Sequence, residues 1–268
     1  MSQRPVALVT GASRTIGIGA AIAASLAQSG WDVATTFWRP YDASMPWGSA
    51  PDEVQVLQAE LRCLGARTTA IEVDLALPDA ASRIFDTVER DLGPVTALVM
   101  SHCHSVDSDI LTTSVESFDL HFAVNARATW LLVREFGLRF GARFGLRFGA
   151  HFSGAHGSGA HGSGRIIAIT SDHTAGNLPY GASKGAMDRI VLAAASEFRE
   201  LGITANVINP GATDTGWMSD ELMDEVRQNT FLNRVGTPED CANLVKFLCS
   251  EEGGWINGQL LYSDGGIP

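Results

Sequence analysis

Short, nearly continuous apolar runs alternate with longer stretches of helical character along the chain. Val6–Thr10, Val33–Phe37, Thr69–Asp74, Thr96–Met100, Arg165–Thr170, Thr204–Asn209 and Gly258–Ser263 are the strand candidates. Helical patterns lie at Ala20–Ser29, Pro51–Leu64, Pro78–Leu92, Val115–Phe136, Tyr180–Leu201 and Pro238–Ser250. Strands that lack polar alternation are covered on both faces, as parallel strands joined through helices are. Right-handed crossovers then predict a doubly wound α/β fold, with a mostly parallel sheet of about seven strands and helices on both faces. No shift in composition separates two cores, so residues 1–268 read as a single domain.

Two segments break this rhythm. Arg39–Pro51 holds Pro40, Pro46, Pro51 and Trp47, with Trp38 just before it, and reads as a loop. Phe136–Gly164 is a repeat-containing, low-complexity insertion. FGLRFGAR at Phe136–Arg143 recurs as FGLRFGAH, and SGAHG recurs from Ser158. Phe136, Phe140, Phe144, Phe148 and Phe152 would form one apolar stripe on a helix. A glycine follows each of the first four, and each such glycine costs a helix roughly 1 kcal/mol relative to alanine. Ser153–Gly164 reads as a Gly/Ser linker. His151, His156 and His161 fall in this tract, where fixed ligand geometry is hard to build, so no metal is expected.

Composition narrows the function. The hydrophobic fraction is 45 % and the charged fraction 18 %, enough apolar content for a sizeable core. The net charge of −11 makes nucleic acid an unexpected partner. No apolar run approaches the roughly 18 residues of a membrane helix, and the four apolar residues Val6 to Val9 are too few for a leader segment. Cys63, Cys103, Cys241 and Cys249 form no CxxC pair, which points to a reducing, cytoplasmic setting.

The chemistry starts at Thr10–Gly19. A glycine-rich turn between a first strand and a first helix lets the backbone approach a pyrophosphate, and the helix N-terminus offers free N–H groups. Gly11, Gly17 and Gly19 shape that turn, with Ser13, Arg14, Thr15 and Ile18 on it. Five residues separate Gly11 from Gly17, which leaves open which of Ser13, Arg14 and Thr15 faces the phosphate. Tyr180 and Lys184 stand at i and i+4 near the start of a helix, on one face. A neighbouring ammonium stabilises phenolate and suits a tyrosine to proton transfer. Ser171 follows the strand at Arg165–Thr170, nine positions before Tyr180. It lies where sheets bind ligands, beyond the carboxyl ends of the strands.

The joint pattern resembles the short-chain dehydrogenase/reductase family over nearly the whole chain, excepting Arg39–Pro51 and Phe136–Gly164. The family writes its turn T-G-x-x-x-G-x-G, two residues shorter than here. The resemblance implies a Rossmann-type, nicotinamide-binding domain with Ser171, Tyr180 and Lys184 as catalytic residues. It implies that Asn125 orders a proton-relay water and that Asp74 contacts adenine. It places Pro210 and Gly211 beside the nicotinamide, with Thr213 or Thr215 toward its amide. Arg234–Asp240 and Gly258–Gly266 match its C-terminal patterns. One motif departs: where the family has N-A-G after the fourth strand, this chain has Ser101-His102-Cys103-His104. His102 and His104 read either as lining the ribose or as packing and backbone support.

The second strand ends near Phe37 without the acid that holds the ribose in NAD enzymes. Arg39 and Arg14 stand nearby, and two guanidinium groups suit a 2′-phosphate, so NADP(H) is favoured over NAD(H). The expected activity is an NADPH-dependent reductase of a small-molecule ketone, reversible as an alcohol dehydrogenase. A 3-oxoacyl-carrier-protein reductase is one alternative. A non-catalytic NADP-binding regulatory protein is another, from a different class. The family assembles through the helices carrying Asn125 and Tyr180 and through the last strand, so a homotetramer, or a dimer, is expected.

Overall fold

The structure is a computed structural model that describes residues 4–48, 50–143 and 163–266. Seven parallel strands form one sheet: β1 (Val6–Thr10), β2 (Asp32–Phe37), β3 (Thr68–Glu72), β4 (Val95–Met100), β5 (Gly164–Ile169), β6 (Ile203–Asn209) and β7 (Leu260–Tyr262). Their spatial order is β3-β2-β1-β4-β5-β6-β7. The chain reverses its direction of travel between β1 and β4, so a crevice opens beyond the carboxyl ends of these two strands. This is the doubly wound architecture expected from the apolar pattern.

Successive side chains of a strand point to opposite faces, and the core divides accordingly. Val6 and Leu8 of β1, with Leu98, Met100, Ile166 and Ala168, pack under α4 (Ala80–Asp91), α6 (Ala128–Arg143) and α7 (Leu178–Glu197). Ala7 and Val9, with Ala97, Val99, Ile167 and Ile169, pack under α1 (Ile18–Gln28), α3 (Glu53–Cys63) and α9 (Pro238–Cys249).

Four boundaries differ from the sequence reading. Arg39–Ser44 is a short helix, α2, rather than loop. Pro40 sits in its first turn, where no N–H is needed. The pattern at Val115–Phe136 is broken. After α5 (Val115–His121) comes a π-helical turn, Phe122–Arg127, which carries Asn125, before α6 begins. A further helix, α8 (Asp220–Asn229), has no buried residue and so showed no apolar period. Strand β3 ends two residues before Asp74, whose Oδ1 instead accepts the Ala76 N–H at 2.8 Å.

Helix α6 runs on to Arg143 despite its glycines, past Phe136, where the helical pattern ends. Phe136 and Phe140 are each 1 % exposed and lie in the core of their own chain, Phe136 against Phe85 at 6.4 Å between ring centroids. Gly137 has a packing reason, because a Cβ there would come 2.5 Å from the Phe198 ring. Arg139 ties the same helix to Asp86 and Glu89 of α4 and pairs with Glu135 one turn back on its own helix. Phe144, Phe148 and Phe152, the three tract histidines and most of the Gly/Ser tract lie outside the described residues.

Candidate active site

The glycine turn lies between β1 and α1, and its shape depends on absent side chains. Gly11 has φ +74°, and a Cβ there would come 2.6 Å from the His102 Cα. A Cβ on Gly19 would come 2.6 Å from the Gly11 carbonyl oxygen. Gly17 is the N-cap of α1 and brings no capping side chain, so the first N–H groups of the helix are left for another acceptor. Ser13, Arg14 and Ile18 are half-buried around this cradle. The longer turn puts Thr15 and Ile16 outward: the Thr15 N–H reaches Glu53 Oε2 at 3.2 Å, and Ile16 meets Gly216.

Arg14 and Arg39, paired in the sequence reading, have different surroundings. The Arg14 guanidinium carbon lies 4.9 Å from the centroid of the Trp47 ring. Arg39 forms a two-pronged ion pair with Glu72 at the end of β3, through Nε to Oε1 at 2.9 Å and through Nη2 to Oε2. Asp74 is two residues further on, past the strand end.

Ser171, Tyr180 and Lys184 meet beyond the carboxyl end of β5. Pro179 opens α7, which places Tyr180 in its first turn and Lys184 one turn later. The Ser171 hydroxyl lies beside the Tyr180 phenol and accepts the His173 N–H at 3.2 Å. Lys184 is 2 % exposed, donates from Nζ to the Ile169 carbonyl at 2.8 Å, and lies 5.7 Å from the Tyr180 ring centroid. Burial pushes the phenol above its ordinary range, neighbouring Cys103 adds to this, and Ser171 works the other way. Burial also lowers the Lys184 ammonium. The downward pull expected from Lys184 therefore does not prevail here, and the Tyr180 phenol stays protonated.

Asn125 is fully buried in the π turn. Its Oδ1 accepts the His104 N–H at 2.7 Å, and its Nδ2 donates to the His104 carbonyl at 2.9 Å and to Ser183 Oγ at 2.8 Å. It thus clamps the loop after β4 to α7. A π turn inside a helical run commonly marks a functional site.

In the departure after β4, His102 supports the backbone. His102 Nε2 must donate to the Val124 carbonyl, at 3.1 Å, so Nδ1 accepts from Thr10 Oγ1 at 2.7 Å. Burial holds its pKa down at about 3 and the ring stays neutral. His121, missed in the sequence, is wired the other way round: Nδ1 donates to the Ser117 carbonyl and Nε2 accepts the Val106 N–H. His104 stacks edge-on against His121 and also meets Tyr41. Cys103 is a thiol kept protonated by burial, close to Lys184 and Tyr180. Among the described residues no group of three or more His, Cys, Asp or Glu side chains could hold a metal ion.

After β6, Pro210 and Gly211 turn the chain. Gly211 has φ +61°, and a Cβ there would meet Asp264 at 2.5 Å. The Thr213 hydroxyl donates back to the Pro210 and Gly211 carbonyls, whereas Thr215 is half-buried further along. Sequence reasoning also missed Tyr41, whose hydroxyl donates to the Ser105 carbonyl at 3.2 Å, and Asn177, which bonds Ser105 and Asp107. The aromatic content of Arg39–Pro51 was the only signal for the first.

A family model described as Enoyl-(Acyl carrier protein) reductase matches residues 11–145 and 149–268. The chain is 35 % identical over 270 residues to an uncharacterized oxidoreductase, YjdA, of Bacillus subtilis, covering 99 % of this chain and 98 % of that one. It is 31 % identical to an NADPH-dependent aldehyde reductase-like protein, chloroplastic, of Arabidopsis thaliana, over 97 % of this chain and 93 % of that one. A solved short chain dehydrogenase from Burkholderia cenocepacia in complex with NADP superposes with a TM-score of 0.80 at 30 % identity, covering 98 % of this chain and 97 % of that one. With this sheet order and these relatives, the chain belongs to the short-chain dehydrogenase/reductase family of oxidoreductases.

Proposed function

We propose that the protein is an NADPH-dependent carbonyl reductase acting on a small aldehyde or ketone. The observation that carries this reading is the meeting of Ser171, Tyr180 and Lys184 beyond β5, beside a glycine cradle that fits a dinucleotide. Gly11 and Gly19 admit no Cβ, and the N-terminus of α1 is uncapped by any side chain, which suits a pyrophosphate. The cradle residues are Gly11, Ser13, Arg14, Gly17, Ile18 and Gly19. Arg39 and Asp74 lie toward the adenosine end, and Pro210, Gly211, Thr213 and Thr215 toward the nicotinamide. The bound cofactor supplies the hydride that adds to the carbonyl carbon. Ser171 holds the carbonyl oxygen by hydrogen bonding. Tyr180 gives its phenolic proton to that oxygen, and the buried Lys184 ammonium stabilises the phenolate left behind. Asn125 positions the loop after β4 against α7 and supports a proton path behind Lys184. The name of the Arabidopsis relative and the NADP complex of the bacterial neighbour support the choice of cofactor.

The test is NADPH consumption with a panel of aldehydes, ketones and a 3-oxoacyl thioester. Turnover of at least one carbonyl class is expected. Tyr180→Phe should still bind NADPH and lose roughly 10²–10⁴-fold in kcat, the usual worth of a positioned general acid. A Tyr180→Phe enzyme with wild-type kcat would remove the phenol from the mechanism.

We further propose a homotetramer built through α5–α7 and β7. Phe118 and Trp130 are exposed on the first surface, and Leu260 and Tyr262 on the second. A monomer in light scattering at micromolar concentration refutes this. The four cysteines are free, which supports a reducing, cytoplasmic location, tested by cell fractionation.

A further inference from the structure

Arg14 differs from Arg39 in what it has left to give. Arg39 is already neutralised by Glu72. Arg14 is half-buried, yet among the described residues its guanidinium has neither a carboxylate nor a carbonyl partner. It is held between two surfaces instead. One is the face of the Trp47 indole, 4.9 Å away. The other is Gly216, where a Cβ would come 3.5 Å from Arg14 Nη2. The indole is itself fixed: Trp47 Nε1–H donates to Oδ1 of the buried Asp42 at 3.2 Å. The Tyr41 ring stands edge-on to it, and the Tyr41 hydroxyl is tied to Ser105 on the loop after β4.

We infer that Trp47 is a positioning residue that presents Arg14 to the 2′-phosphate and thereby sets the preference for NADPH over NADH. The inference rests on the NADP reading above. A guanidinium donates hydrogen bonds only in its plane. A cation held over an indole ring spends no hydrogen-bond donor on it, so the guanidinium N–H groups remain for phosphate oxygens. Holding the long side chain in place beforehand removes an ordering cost from the binding step. Trp47 belongs to the segment Arg39–Pro51 that lies outside the family resemblance, and this segment thereby carries the platform for a cation on the glycine turn.

The experiment is direct titration of NADPH and NADH, by protein fluorescence or calorimetry, against the wild type, Trp47→Leu, Trp47→Phe, Arg14→Ala and the Trp47→Leu/Arg14→Ala double variant. The wild type should prefer NADPH. Trp47→Leu should weaken NADPH by about five- to tenfold, in the range of a partly desolvated cation–π contact, and move NADH by less than about twofold. Trp47→Phe keeps a ring face and should recover most of the loss. In the Arg14→Ala background Trp47→Leu should add nothing, since a residue that acts through another has no effect once that other is gone. Equal weakening of both cofactors, or a loss that adds to that of Arg14→Ala, overturns the inference and makes Trp47 a support of the fold or of the shared pyrophosphate. A wild type that binds NADH as tightly as NADPH defeats the NADP reading itself, and the inference with it.

Discussion

Gly181 offers a test of how Tyr180, the proposed proton donor, is held. Only eight residues lie between Ser171 and Tyr180, and the short connection presses onto the first turns of α7. A Cβ at Gly181 would overlap the His173 carbonyl oxygen and lie 2.9 Å from its carbonyl carbon. Carbon atoms in contact sit about 3.5–4.0 Å apart, so the backbone must yield by roughly 1 Å. The obstacle is a carbonyl rather than the end of a flexible side chain, and the yielding segment carries Ser171 on one side and Tyr180 on the other. A misplacement of about 1 Å in catalytic groups costs on the order of 10²-fold in rate. Gly181→Ala is therefore expected to lose about two decades in kcat/KM for carbonyl reduction, with NADPH affinity changed far less. Gly185, one turn later on the same helix, is the control, because a Cβ there meets nothing within 4 Å. Gly185→Ala should keep activity and gain about 0.5–1 kcal/mol in stability from the lost flexibility of the unfolded chain, read as a small rise in Tm. Wild-type kcat/KM in Gly181→Ala, or an equal loss in Gly185→Ala, would refute the reasoning.

Phe136→Ala should destabilise the fold by about 3–5 kcal/mol in a denaturant titration, because that ring is in the core of its own chain; a change confined to oligomer dissociation would contradict this. The neutral His102 gives a pH dependence. Its pKa is depressed by burial to about 3, so the unfolded chain takes up a proton near pH 6.5 and the folded chain does not. Stability should fall as pH drops from about 6.5 toward 3, and His102→Gln should flatten that slope in pH-dependent melting. Glu72→Gln releases Arg39 from its ion pair and should tighten NADPH by about three- to tenfold relative to NADH in the same titrations; no change would leave Arg39 outside cofactor recognition. Replacing Ser153–Ser163 by a short Gly/Ser turn should leave kcat within about twofold, since the tract enters β5 at the end opposite Ser171 and loop length costs closure entropy slowly.

The apolar runs at Val6–Thr10, Arg165–Thr170 and Thr204–Asn209 announced their strands, because burial on both faces leaves a local mark in every residue. The same holds for Tyr180 and Lys184, which one helical turn brings together, and for the glycine turn, whose spacing records the close approach of β1, α1 and the loop after β4. Helix α8 left no such mark, having no buried face. Nor could the sequence say that Phe136 and Phe140 are core residues, since a helical stripe is equally suited to a neighbouring subunit. What covers it is Phe85 and Phe198, brought in from elsewhere in the chain. The charge balance at the cradle was likewise settled only in three dimensions. Arg14 and Arg39 read alike as isolated cations, but β3 pairs beside β2 in the register that sets Glu72 opposite Phe37, and this gives Arg39 a carboxylate while Arg14, among the described residues, receives an aromatic face. Local pattern determines which residues can fold into an element. Partners distant in sequence determine which polar groups remain unsatisfied, because hydrogen bonds and ion pairs depend on atoms a few ångströms apart that no local period encodes.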